Sequence, residues 1–215
     1  MKDPQRKYLA KKIAEREKRE GEMYMNLEEK TVKQNTLYKG RILTLRNDRV
    51  LLPNGKVSYR EVVEHPGGVC VVPLCDNGDV LFVRQFRYPY GAVIPEIPAG
   101  KLSPGEDPLA CGVRELKEET GAVAEKYTPL GELYPSPGYC GEIIYMYLAE
   151  GLSFEEQQLD EDEFLSVERV PILEAVQSIL NGAVKDAKTQ AAILKTAALK
   201  QLFCKKNAIF PGDSV

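Results

Sequence analysis

A single histidine, His65, stands among 215 residues. That scarcity argues against Ser-His-Asp catalysis and against metal sites built from several imidazoles. The five cysteines, Cys70, Cys75, Cys111, Cys140 and Cys204, are odd in number and never spaced C-x-x-C. They read as reduced thiols of a cytoplasmic protein rather than as a disulfide framework or a zinc site. No apolar run approaches the roughly 18 residues that a membrane span needs. No charged-then-apolar signal segment opens the chain. An excess of one charge is missing too: 29 Lys/Arg face 32 Asp/Glu, for a formal net charge of -3. There is thus no global basic footprint for nucleic acid. An anionic ligand would have to be held by metal ions or by a few placed arginines.

What is present is ordinary for a globular chain, 43% hydrophobic and 28% charged. The length suggests one domain with an appendage and enough chain to bury a core. Residues 1–24 differ from the rest, with eight Lys/Arg and five Asp/Glu. They read as a solvated, helical extension; the alternative is that Met25 is the natural start.

From about Lys30 the hydrophobic period changes to two. Asn54-Gly55 and Asn77-Gly78 lie between β-branched stretches, a strong hairpin signal. TLYKGRILTLR, KVSYREVVEH, GVCVVPL and DVLFVRQFR therefore read as strands. The continuous apolar runs GVCVVPL and VLFV suggest central strands covered on both faces. IPEIPAGKLSPGEDP reads as a loop, dense in Pro and Gly. Asp107 can cap a following helix with Pro108 at its first position. Leu109, Gly112, Val113 and Leu116 recur at helical spacing as its buried stripe, and Gly121 is a suitable stop. Strands follow near LGELYP, EIIYMYLAE and LSVERV, with the acidic loop QLDEDEF before the last. Residues 172–204 read as two helices, broken at Asn181-Gly182 and restarted at Asp186. This order implies an α+β domain or an α/β/α sandwich with a mixed sheet.

Within the first helix, RELKEETG places Glu115, Glu118 and Glu119 on one face. Like charges at that spacing destabilise a helix by a few tenths of a kcal/mol per pair. Either the face is solvated, or something cationic sits against it. Carboxylates at this spacing, with Gly100 freeing the preceding loop to approach, offer only oxygen ligands. Mg²⁺ or Mn²⁺ want that set, whereas zinc would want His or Cys. Such ions keep waters and engage phosphates, which points to a phosphate ester or anhydride. Arg114 can pair with Glu118 one turn on and orient it.

Read together, Gly100, Glu106, Arg114-Glu115-Leu116, Glu118-Glu119 and Gly121-Ala122 resemble the Nudix box, with every specified position filled. Seven fixed identities, at about 5–7% each, would arise by chance roughly once in a million chains of this size. That weighs far more than a lone Gly-rich pattern. From about Asn26 to Phe203 the chain is similar to the bacterial ADP-ribose pyrophosphatases of that superfamily. LPNGKVSYREVVEHPGGVCVV, VRQFRYP, EIPAGKL, the SPG of residues 136–138 and LDEDEF carry this similarity. Pro137 stands where the family marks ADP-ribose specificity, although nucleotide-sugar hydrolases share much of the pattern.

The resemblance implies a Nudix fold, an α/β/α sandwich with a mixed β-sheet, preceded by an N-terminal antiparallel β region. Its organisation would be a charged extension (1–24), the N-terminal β region (25–66), exchanged in a homodimer, the hydrolase domain (67–204) and a tail (205–215). It further implies Glu115 and Glu119 as direct ligands of two or more Mg²⁺ or Mn²⁺ ions, with Glu118 assisting. The backbone carbonyl of Ala99 and the side chain of Glu163 complete that set. Glu161 would take or guide the proton of the attacking water. Arg87 would contact the diphosphate, Arg60 would reach the ligand from the partner subunit, and Ser136 and Glu142 would touch the substrate. Arg84, three residues before Arg87, points to the opposite strand face. Arg41 departs from the family pattern, which often has an adenine-stacking aromatic there. Its guanidinium can stack on a base, or a nearby tyrosine can do so.

The activity implied is hydrolysis of ADP-ribose to AMP and ribose 5-phosphate. Competing readings are the same chemistry on GDP-mannose, UDP-glucose or an oxidised nucleotide, and a non-catalytic nucleotide-binding module. The intact Glu115, Glu118, Glu119 and Glu161 argue against the last. A nucleic-acid protein led by the basic N-terminus is disfavoured by the aromatic-poor leader.

Overall fold

The structure, a computed structural model, describes residues 11–13, 15, 27–161 and 163–202. Most of the charged leader, Met25, Cys204 and the tail 205–215 therefore lie outside the described residues. The chain divides into two compact units, Met1–Glu64 and His65–Val215.

In the first unit, β1 (Lys30–Lys33), β2 (Thr36–Lys39), β3 (Thr44–Leu51) and β4 (Val57–Glu64) form one antiparallel sheet. The stretch expected as one strand, TLYKGRILTLR, is instead a hairpin. Gly40 N–H donates to the Leu43 carbonyl at 2.9 Å, and β2 folds back on β3 with Lys39 opposite Thr44. A Cβ at Gly40 would sit 2.8 Å from the exposed Tyr38 ring and 3.3 Å from the Leu43 carbonyl oxygen, so a side chain there would have to push that ring aside. Asn54-Gly55 closes the β3–β4 hairpin as expected, Gly55 at φ +79°.

The second unit opens with β5 (Gly68–Pro73), buried at all six positions. It lies within a mixed sheet of order β8-β5-β10-β9, where β8 is Ala99–Lys101, β9 Ala122–Leu133 and β10 Ile144–Phe154. The β5–β10 pair is parallel and the others antiparallel. A second, antiparallel sheet runs β11-β6-β7, from Leu165–Pro171, Asp79–Arg87 and Ala92–Glu96. The loop expected over residues 94–108 thus holds β8 and the end of β7. Pro95 fits because β7 is an edge strand, where a missing N–H is tolerated. Asn77-Gly78 does turn the chain, but the strands it joins enter different sheets, touching through one Leu74–Val80 bridge.

Among the described residues of the second unit, three α-helices pack on this frame: α1 (Pro108–Thr120), α2 (Ile172–Leu180) and α3 (Ala187–Leu199). Alternation along β5 sorts them into layers. Val69 and Val71 pack in clusters with Cys111 and Leu116 of α1. Cys70 and Val72 join Val176 and Ile179 of α2 and Ile193 of α3. The sheet is thus covered on both faces, the sandwich expected from the element order. Leu116 is wholly buried, a contribution of about 1.5–3 kcal/mol.

One expectation for α1 is corrected. Leu109 and Val113 are each 38% exposed, and the inward face is Cys111, Gly112, Glu115, Leu116 and Glu119. Hydrophobic periodicity assigns carboxylates to water; here two of them face inward.

Candidate functional site

The local sequence explains why α1 lies where it does. Asp107 caps its start, accepting the Ala110 N–H at 3.0 Å, and Gly121 ends it at φ +69° with its N–H on the Lys117 carbonyl. Gly112 lets the helix press against β5: a Cβ there would lie 3.1 Å from Val69 Cγ2 and 3.2 Å from Val71 Cγ2. This close approach carries Glu115 and Glu119 beneath β8.

Gly100, on β8, makes the space for them. A Cβ on Gly100 would fall 1.9 Å from Glu115 Cδ, inside the volume that the carboxylate fills. Glu119, 2% exposed, accepts the Ala99 N–H at 3.1 Å. Burial pushes the Glu119 carboxyl up to about 8, and the charges of Glu115 and Glu163 add to that rise against the Ala99 N–H. Glu115 is raised for the same first reason, burial, with Arg114 opposing.

Arg114 ties the carboxylates together. Its Nη1 lies 2.9 Å from Glu115 Oε1 and 2.8 Å from Glu118 Oε2, and its Nε donates to Glu106 Oε1 at 3.1 Å. Burial alone would lower its pKa, but Glu106, Glu115 and Glu118 hold it above the usual arginine value. Among the described residues, no three His, Cys, Asp or Glu side chains already converge as a metal site. Arg114 takes up the charge of Glu106, Glu115 and Glu118, while Glu119 accepts the Ala99 N–H.

The acidic loop is hooked to the end of α1. Gln158 N–H donates to the Glu118 carbonyl at 3.0 Å, the Gln157 side-chain amide donates to the Glu119 carbonyl, and Lys117 pairs with Glu155 at 2.8 Å. Gly121 is required twice over, since a Cβ would sit 2.4 Å from the Glu155 carbonyl oxygen. The hooks satisfy carbonyls that a helix end leaves open. They bring Glu163 near enough for its charge to act on Glu115 and Glu119. Glu161 stands exposed on the same loop.

Beside this cluster runs a groove of about 320 Å³, lined among others by Arg87, Ala99, Gly100, Glu142, Asp186 and Lys188. Arg87 is not free. Its Nε and Nη2 fork onto Glu96 at 2.6 and 2.8 Å, which raises its pKa through that hydrogen bond. Arg84 pairs with Glu168 at 2.8 Å, away from the groove. His65 Nδ1 accepts the Gly67 N–H at 3.2 Å and lies 3.4 Å from Glu142 Oε1. Ser136 is half-buried in the SPG turn, where its carbonyl accepts from Cys140 N at 2.9 Å. Arg60 and Arg41 belong to the first unit, Arg60 paired with Glu29 and Arg41 exposed at the β2–β3 turn.

Sequence reading missed Glu96, Lys188 and Gln157. Glu96 lies inside EIPAGKL without a motif role. Lys188 carried a usable signal: it is a cation in the first turn of α3, where the helix dipole disfavours one.

The chain that carries this groove is similar to known proteins. The family pattern of the NUDIX domain matches residues 64–192, and that of the nucleoside diphosphate sugar hydrolase N-terminal domain matches residues 29–63. An ADP-ribose pyrophosphatase of Bacillus subtilis is 46% identical over 170 residues, 78% of this chain and 92% of that protein. A methanol dehydrogenase activator of Bacillus methanolicus is 44% identical over 168 residues, 77% and 91% of the two chains. A solved ADP compounds hydrolase superposes with a TM-score of 0.72 at 22% identity, over 82% of this chain and 97% of its own, a likeness of fold. Members of this family generally need a divalent cation. With its whole box in place and more than half its length matched, the chain belongs to the Nudix family.

Proposed function

We propose that this chain is a divalent-cation-dependent ADP-ribose pyrophosphatase that releases AMP and ribose 5-phosphate. The observation that carries the reading is the pair of inward carboxylates, Glu115 under Gly100 and Glu119 on Ala99, beside a groove walled by Arg87 and Lys188. The relatives' similarity over most of the chain supports the substrate.

The residues fit a hard cation. Every candidate donor is an oxygen, and burial with the nearby Glu115 and Glu163 raises the Glu119 carboxyl to about 8, so a bound cation would favour its ionised form. The Ala99 carbonyl, Glu115, Glu119 and Glu163 would hold Mg²⁺ or Mn²⁺, in two or more ions. When bound, the cations neutralise charge on the diphosphate and make water a better nucleophile.

The protein's own groups do the rest by position and charge. Glu161 takes or guides the proton of the water that attacks one phosphorus. The bond from that phosphorus to the bridging oxygen breaks, and the departing phosphate keeps the electron pair. Arg114 positions Glu118 and Glu115 through the contacts at 2.8 and 2.9 Å. Arg87 faces charge on the diphosphate oxygens. Glu142 contacts the substrate from the groove wall and Ser136 from the adjoining SPG turn. In a homodimer Arg60 would reach the ligand of the partner chain, while Arg41 or a nearby tyrosine would stack on the base. No helix among the described residues is long and apolar enough to cross a membrane, and the reading places the enzyme in the cytoplasm.

A panel of nucleoside diphosphate derivatives, incubated with and without Mg²⁺ and analysed by mass, tests this. ADP-ribose should be the preferred substrate and should give AMP. No turnover of any member would sink the enzyme reading; a preference for UDP- or GDP-sugars would sink only the choice of ADP-ribose. Light scattering should give a dimer mass, and a monomer at micromolar concentration would remove the shared-ligand part.

A further inference from the structure

Lys188 occupies an unfavourable place for a cation, the second residue of α3, with its side chain only 12% exposed. Burial alone would lower its pKa, but Asp186 and Glu96 hold it above the usual lysine value. The same Glu96, 1% exposed, accepts the Arg87 fork on one side and the Lys188 ammonium on the other. Lys188 also lies 3.0 Å from Asp186 Oδ1. Asp186 in turn accepts the Thr189 N–H at 2.9 Å and its hydroxyl at 2.6 Å, and Thr189 Oγ accepts the Ile97 N–H at 2.9 Å. The network therefore fixes β6, the end of β7 and the start of α3 to one another.

A donor count shows what the network leaves over. Arginine has five N–H groups and lysine three. Glu96 takes two from Arg87, and Glu96 with Asp186 takes two from Lys188. Both oxygens of Glu96 are engaged and out of reach of solvent, so Glu96 cannot meet a ligand. Arg87 and Lys188 both line the groove and both keep donors. A buried ion pair that served folding alone could be replaced by apolar residues at little loss. This one brings two cations to a groove wall next to Ala99 and Gly100.

Resting on the reading of that groove as the substrate's, we propose that Lys188 is a second phosphate-binding cation beside Arg87, and that Glu96 is the positioning residue holding both. The ligand recognised is the diphosphate of a nucleoside diphosphate ester, with one cation for each phosphate.

The test uses Lys188→Met, Lys188→Arg, Glu96→Gln and the double variant E96Q/K188M in the full chain. Two probes are titrated calorimetrically with Mg²⁺ present: inorganic pyrophosphate, and ADP-ribose with a methylene in place of the bridging oxygen. Melting temperature, KM and kcat are recorded alongside. Loss of a charged hydrogen bond predicts a Kd for both probes roughly ten- to hundredfold higher in K188M. KM should follow Kd, while kcat stays within about threefold, as for an interaction made equally in ground and transition states. K188R should recover most of the affinity, and E96Q should weaken both probes while lowering the melting temperature. K188M leaves Glu96 half-paired; if it does not fold, E96Q/K188M, which removes one charge of each sign, is compared with E96Q.

Binding of both probes within twofold of the parent, in K188M or in that comparison, overturns the proposal, since a purely structural lysine would move only the melting temperature. If the parent binds pyrophosphate through Lys188 but turns over no nucleoside diphosphate, the phosphate subsite stands and the enzyme reading falls. Normal turnover independent of Lys188 refutes the subsite alone, and a parent that binds neither probe refutes both.

Discussion

Replacing Gly100 by alanine would test the placement of the candidate metal ligands with one carbon atom. The new Cβ would lie 1.9 Å from Glu115 Cδ, 2.0 Å from Oε1 and 2.4 Å from Cγ. Carbon atoms rest at about 3.5–4.0 Å, so the carboxylate must withdraw by at least roughly 1.6 Å. It can do so, because the obstructed group is the end of a flexible side chain. An off-rotamer excursion costs about 0.5–1.5 kcal/mol, and alanine in place of a strand glycine returns about 0.5–1 kcal/mol. The fold should therefore survive, with a melting temperature within a few degrees of the parent. Activity should not survive as well, because a displacement of about 1 Å in a reacting constellation can cost about a hundredfold. That corresponds to about 2.7 kcal/mol in the barrier. Initial rates across a Mg²⁺ series, with thermal melts, give both numbers. Gly68→Ala is the contrast: its Cβ would meet the Gly100 backbone oxygen at 2.9 Å, which cannot swing aside. G68A should lose stability first. A G100A protein that keeps more than about a third of the parent kcat/KM, at an unchanged half-saturating Mg²⁺, would refute this account of Gly100 and Glu115.

Three further outcomes are expected. Glu119, at about 8 when folded and near 4.5 when unfolded, keeps its proton in the fold while the unfolded chain loses it. Without divalent ions, stability should thus fall as pH rises from about 5 to 8, by at most about 5 kcal/mol; Glu119→Gln should flatten this slope, and melts that rise over that window would contradict it. Glu119→Gln should lose both cation affinity and rate, whereas Glu161→Gln should lose rate with Mg²⁺ binding largely retained; equal loss of both in E161Q, by rates and calorimetry, refutes Glu161 as the base. Gly112→Ala gains about 1 kcal/mol of helix propensity but overpacks against Val69 and Val71, each 1% exposed, at about 1–3 kcal/mol. A lower melting temperature is expected, and a higher one would show that α1 can lift from β5.

Much of the candidate site was legible because its determinants are local. Glu115 and Glu119 share a helix face by spacing alone, and Asp107, Pro108 and Gly121 mark the ends of that helix within their own neighbourhoods. The pairing of Arg114 with Glu118 is a one-turn contact and was expected as such. What was misread depended on distant partners. Leu109 and Val113 fit an apolar stripe, but the helix turned its carboxylates inward because Gly100 and Ala99 receive them. TLYKGRILTLR alternates like one strand, and only its pairing on β3 shows the fold at Gly40.

By itself the sequence determined the reaction class, through the oxygen-rich box and its glycine, and it determined the turns, caps and fully buried strand that frame it. These are properties of residues within a few positions of one another, where backbone stereochemistry and charge spacing decide. Tertiary structure alone decided how Arg87 is paired. Its partner Glu96 lies nine residues away on the neighbouring strand, and Lys188 reaches that same carboxylate across 92 residues. A buried charge is tolerable only where the fold supplies its counter-charge, and chain spacing cannot say which distant helix will do so. The asparagine-glycine turn at Asn77-Gly78 gives the same lesson in backbone terms. The turn is local and was foreseen, whereas the assignment of its two strands to different sheets follows from β10 and β11, far along the chain.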